Sequence, residues 1–132
     1  MSLVFMLDTD TVSYALRGQG RVADVIGRHR PSALCVSAIT MAQLRFGAMR
    51  RKSAKLDQMI EGFTENVAVV PFEADCAFMF GRIASQLEDL GTPIGEFDAL
   101  IAAHAMSLGL TLVTNNVKHF SRVAGLNVEN WL

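Results

Sequence analysis

The sequence predicts a single α/β domain, a three-layer α/β/α sandwich around a mainly parallel, about five-stranded central sheet. Three observations carry this expectation. Short apolar runs alternate with longer stretches whose apolar residues recur at helical spacing. The short runs are continuously apolar rather than alternating, as in strands covered on both faces. The length of 132 residues suits one domain with one core, and no internal repeat or low-complexity segment suggests a second unit.

Taken in order, Leu3 to Leu7 reads as the first strand and runs into Asp8-Thr9-Asp10, where a helix marked by Val12, Ala15 and Leu16 begins. Gly18 and Gly20 break that helix; a second spans Arg21 to His29 and stops at Pro31. Ala33 to Val36 is strand two. Ser37 or Thr40 caps the next helix, whose apolar positions Met41, Leu44 and Ala48 lead to a basic run at Arg50. A helix from Lys55 to Phe63 precedes strand three, Val67 to Val70, closed by Pro71. The most regular helix runs from Glu73 to Leu90, with Ala77, Phe80, Ile83, Ala84 and Leu87 on one stripe and Gly91 as its stop. After the connector Thr92-Pro93-Ile94-Gly95, an Ala-rich helix covers Glu96 to Leu108 and ends at Gly109. Thr111 to Val113 and Asn127 to Glu129 complete the sheet as strands four and five.

Composition narrows the function classes. Apolar residues make up 51% and charged residues 19%, which excludes a disordered or fibrous chain. The longest apolar stretch, Ala99 to Val113, is interrupted by His104, Ser107 and Gly109 and is shorter than the ~18 residues a spanning helix needs. The N-terminal run lacks the basic flank and length of a secretion signal, so a cytoplasmic protein without a membrane segment is expected. Cys35 and Cys76 lie far apart among apolar residues and read as buried free thiols. A net charge of −1 does not mark a nucleic-acid binder. The basic residues are nevertheless clustered, at Arg28-His29-Arg30 and again at Arg45, Arg50, Arg51, Lys52 and Lys55, as a solvated face or a phosphate-facing patch.

Open parallel sheets bind ligands beyond the carboxyl ends of their strands, near the point where strand order reverses. Asp8 follows strand one, Asn115 and Asn116 follow strand four, and Asp98 opens the helix that feeds strand four. Carboxylates gathered without a neighbouring lysine or arginine repel one another, and a hard divalent cation relieves the repulsion. Mg²⁺ suits such a site because it needs only one or two protein carboxylates. Each residue also has a purely structural reading. Asp8 and Asp10 are good helix caps, Asp98 is a first-turn acid favoured by the helix dipole, and paired asparagines form turns. His104, six residues beyond Asp98, falls on a different helical face and reads as a packed or surface histidine. The chain has no Gly-rich phosphate loop, and neither cysteine sits in a nucleophile motif.

Four segments, MLDTDTVSYAL, VSAITMAQLRFGA, GTPIGEFDALIAAHA and LVTNNVKHFSRVAGLNVENW, cover nearly the whole chain, and on them it resembles the VapC-type PIN-domain endoribonucleases. The resemblance implies a three-layer fold and an acidic site in which Asp8 is the first family aspartate, Asp98 the third acidic position and Asn116 the fourth. The second position departs from the pattern: the family reads Ala-Glu-Leu-Arg where this chain has Ala42-Gln43-Leu44-Arg45. Gln43 keeps the shape of the glutamate and loses its charge, which implies an attenuated or disarmed site, with Glu96 or Asp10 as compensating carboxylates. Further implications are Mg²⁺ or Mn²⁺ held by Asp8 and Asp98, with support from Thr9, Thr114 and Asn115. Arg45, Arg50 and Arg51 would lie along an RNA substrate, structured tRNA or rRNA. A VapB-type antitoxin and a homodimer are the implied protein partners, on surfaces around Phe46, Met49, Met59 and Phe63. The alternative reading is a catalytically weak PIN module that binds RNA or a partner without turnover.

Overall fold

The computed structural model describes residues 2–132 and forms one five-stranded sheet in the order β3-β2-β1-β4-β5, every pairing parallel. The strands are β1 (Phe5–Leu7), β2 (Leu34–Ser37), β3 (Ala68–Val70), β4 (Thr111–Val113) and β5 (Val128–Glu129). The helices are α1 (Thr9–Leu16), α2 (Val22–Gly27), α3 (Ala38–Arg51), α4 (Ala54–Thr64), α5 (Ala74–Asp89), α6 (Glu96–Ser107) and α7 (Val117–Phe120). The α/β/α sandwich is therefore the observed architecture.

The two helical layers follow from the two-residue period of the strands. Leu7, Leu34, Val36 and Val113 form one core with Val12 of α1, Leu44 and Ala48 of α3 and Ile60 of α4. The intervening residues Met6, Cys35 and Leu112 turn to the other face, against Ile83 and Leu87 of α5, Ile101 and Ala102 of α6 and Phe120 of α7. Strands buried on both faces cannot alternate apolar with polar, which is why their runs are continuously hydrophobic. Both cysteines are buried free thiols. Among the described residues, no helix is long and apolar enough to cross a membrane.

The boundaries shift by a residue or two from those expected. Leu3 and Val4 precede β1, and Ala33 closes a short 3-10 turn (Pro31–Ala33) before β2. A four-residue helix, α7, was not expected, because one turn is too short to show a period. Ser37, not Thr40, caps α3: its buried Oγ accepts from the Ile39 N–H at 3.0 Å and lies 2.8 Å from His104 Nδ1. His104 is thus a packed histidine that joins α6 to the start of α3, and burial holds its pKa below the ordinary value. Ser37→Ala removes the cap, worth ~1 kcal/mol, and strands a buried ring nitrogen, worth roughly another 2 kcal/mol. We expect its melting temperature to fall by about 10 °C, measurable by thermal denaturation.

Candidate active site

Strand order reverses about β1, whose two neighbours β2 and β4 connect onward to opposite edges. Asp8 follows β1 at this switch point. Its backbone N–H donates to Val113 of β4 at 3.0 Å, and its Oδ1 accepts from the Thr11 N–H at 2.8 Å, so that it also caps α1. The structural and functional readings of Asp8 are therefore compatible. Only 4% of the residue is exposed, and burial raises its pKa above the ordinary value against the pull of hydrogen bonds from Thr114 and Thr11; the charge of Asp10 raises it further. Thr11, fully inside, donates its hydroxyl to the Val113 carbonyl at 3.0 Å and locks α1 onto β4.

Asp98 lies in the first turn of α6, where the cap position is Gly95 and offers no side chain. With a φ of 93°, Gly95 takes a conformation that an L side chain rarely adopts, and this directs the connector into the helix. Burial raises the Asp98 pKa; His119 opposes this from 3.2 Å, while Asp10 again raises it. Because Asp10 acts on both carboxyls, three acidic groups share one electrostatic neighbourhood. No lysine or arginine pairs with any of them among the described residues.

Gln43 is brought to the same edge from α3. Thr9 donates its hydroxyl to Gln43 Oε1 at 2.5 Å and lies 3.2 Å from the Thr40 hydroxyl, tying the start of α1 to the first turns of α3. Thr114, wholly buried, bonds the Asp8 carboxyl and accepts the Asn116 N–H at 3.0 Å. Asn116 is exposed at the start of α7 without a side-chain cap bond. Asn115 turns aside, 3.4 Å from the Tyr14 hydroxyl and 3.4 Å from Asn130.

The basic residues divide. The Arg45 guanidinium is held by Asp57 at 2.7 Å and by Glu61, so it clamps α3 to α4 rather than standing open to phosphate. Arg50 and Arg51 are exposed at the far end of α3. Arg50 shares a helical face with Gln43 and lies ~10 Å further along the axis. Phe46 and Met49 are 67% and 77% exposed, Met59 is half-buried, and Phe63 packs on the core. The sequence does not single out Thr11 or His119, and it offers Thr40 only as a helix cap, not as a partner of Thr9. Thr40 was detectable at three residues before Gln43 on one helical face, whereas His119 depends on a turn that carries no sequence period.

The residues fit a small divalent cation with oxygen ligands. Two carboxyls, at least half-enclosed and raised by burial and by the charge of Asp10, lack a compensating lysine or arginine. No cluster of three or more His, Cys, Asp or Glu suited to a metal occurs among the described residues. The fit is thus to a two-carboxylate site, with the neutral Gln43 amide held at the same edge by Thr9.

A PIN-domain family model matches residues 5–126. The tRNA(fMet)-specific endonuclease VapC of Salmonella typhimurium is 34% identical over 130 residues, covering 98% of each chain. Ribonuclease VapC2 of Haemophilus influenzae is 38% identical over 133 residues, covering 98% of this chain and 99% of its own. The crystal structure of VapBC2 from Rickettsia felis, bound to a DNA fragment from their promoter, contains a chain that superposes with a TM-score of 0.87 at 32% identity; the match covers 98% of this chain and 100% of that one. Strand order, acidic edge and full-length similarity agree, and the chain belongs to the PIN-domain family, among relatives that are VapC ribonucleases.

Proposed function

We propose that this protein is a Mg²⁺- or Mn²⁺-dependent endoribonuclease toxin of a toxin–antitoxin pair, acting in the cytoplasm on structured RNA such as tRNA or rRNA. The observation that carries the reading is the pair Asp8 and Asp98, set at the sheet's switch point with raised pKa values and no lysine or arginine partner. Asp8 and Asp98 would hold the ion, with Gln43 and Asn116 at its margin. When bound, such an ion supplies Lewis-acid activation of water and offsets the charge on phosphate.

The chain's own residues position and exclude. Thr9 fixes the Gln43 amide, Thr114 fixes the Asp8 carboxyl, and the two apolar cores keep bulk water from the inner side of both. Arg50 and Arg51, exposed at the far end of α3, would neutralise phosphates along the RNA, the main source of sequence-independent affinity. Hydrolysis adds water across one P–O ester bond and leaves two shorter RNA strands. A VapB-type antitoxin is the partner that would silence the site. Phe46 and Met49 offer apolar surface to it or to a second copy in a homodimer.

The test is cleavage of a structured RNA pool by this chain in Mn²⁺, with EDTA and with Asp98→Ala as controls. We expect fragments that disappear in both controls. Fragments that persist in EDTA and with Asp98→Ala would refute the metal site. Gln43 also supports a second reading, a module that binds RNA without cutting it. RNA binding unaffected by metal, with no fragments even for Gln43→Glu, would favour that module.

A further inference from the structure

We propose that His119 is a positioning residue for Asp98, holding one carboxylate oxygen so that the other is presented to the cation. The inference rests on the metal-dependent reading above and adds a residue to it. His119 Nε2 lies 2.7 Å from the Ile94 carbonyl oxygen and 3.2 Å from Asp98 Oδ2. A carbonyl oxygen only accepts, so this nitrogen carries the hydrogen and is shared between two acceptors. One of them is in the connector just before α6 and the other is in the first turn of α6. A single ring thus pins both the entry of the helix and the carboxyl of its acid. Oδ1 of Asp98 takes no hydrogen bond among the described residues.

The ring is itself held in place. The His119 backbone N–H donates to the Asn116 carbonyl at 3.1 Å, and the imidazole meets Phe120 edge-on, with centroids 5.7 Å apart. Phe120 is 1% exposed and anchors α7 in the core. The one-turn helix therefore places Asn116 at the site and His119 against Asp98 together. An imidazole donor suits this task because it can orient the carboxylate without carrying a permanent positive charge that would compete with a divalent ion.

The test measures Mn²⁺ affinity of the whole chain by calorimetry, for the unaltered protein, Asp98→Asn, His119→Ala and His119→Gln. Loss of an outer partner that orients a metal-binding carboxylate costs about 10- to 100-fold in affinity. We expect His119→Ala to lose that much and His119→Gln, whose amide can donate in the same place, to recover most of it. Equal affinity for His119→Ala and the unaltered chain, with Asp98→Asn impaired, would overturn the positioning role while leaving the metal site intact. Equal losses in His119→Ala and His119→Gln would also overturn it. An unaltered chain that binds no Mn²⁺ would remove the metal reading and this inference together. If His119→Ala does not fold, ¹⁵N NMR of the unaltered chain decides: a hydrogen on Nε2 is expected, and a ring protonated on Nδ1 alone would refute the assignment.

Discussion

Gln43→Glu is expected to raise Mn²⁺ affinity about 10- to 100-fold and RNA cleavage by at least about 10-fold. A carboxylate roughly 4 Å from a dication gains on the order of 8 kcal/mol at an effective dielectric near 20. Desolvation and repulsion from the other acids return most of this, leaving ~1.5–3 kcal/mol, the stated range of affinity. The substitution needs little rearrangement, because Thr9 already donates its hydroxyl to Oε1 and would donate to a glutamate oxygen equally well. The cost should appear without metal. A fourth negative charge beside Asp8, Asp10 and Asp98 lowers the melting temperature of the metal-free protein, and Mn²⁺ then restores more stability than it gives the unaltered chain. Calorimetry and paired melts with and without Mn²⁺ measure both effects; an unchanged dissociation constant would place residue 43 outside the ion's reach.

Asp8→Asn is expected to do the reverse, reducing Mn²⁺-dependent cleavage by at least about 100-fold, the loss of ~3 kcal/mol, while stabilising the metal-free fold. The asparagine keeps an oxygen for the Thr11 N–H, so the cap on α1 survives. What is lost is a buried charge. Burial holds the Asp8 pKa above its unfolded value, so the folded state binds its proton more readily than the unfolded chain. Stability from this group is therefore full below the unfolded pKa, near 3.8, and is lost as pH rises through the folded value. Asp8→Asn escapes that loss. At neutral pH it should melt ~4 °C higher, as for a typical gain of about 1 kcal/mol, and near pH 4 the difference should shrink. Melts at the two pH values check this, and a lower melting temperature at neutral pH would contradict it.

These two side chains illustrate how far the residues alone could be read. The layer architecture was legible because Met6 and Leu7, Cys35 and Val36, and Leu112 and Val113 are apolar on both faces, a pattern that few folds require. The influence of Asp10 on both Asp8 and Asp98 agrees with the shared edge that the parallel-sheet rule predicts for them. The parts that could not be read depend on contacts across the chain. Whether Arg45 faces phosphate or carboxylate is decided by Asp57 and Glu61 on the next helix. The role of His119 depends on a single turn whose position is fixed by Phe120 in the core. Thr9 and Thr40 look like ordinary helix-start residues until α1 and α3 are brought together. Local pattern fixes which way a side chain faces; it does not fix what it meets there.

The parallel pairing of β1 with β4 joins the two ends of the chain at the acidic edge, and the Thr11 hydroxyl reaches the Val113 carbonyl across 102 residues of sequence. Contacts so remote carry an entropy of loop closure that must be met before they contribute. On a ribosome, a chain that stops short of Val113 has both aspartates but lacks the strand that receives the Asp8 backbone and the threonine that bonds its carboxyl. The acidic edge is therefore complete only once β4 has joined the sheet beside β1.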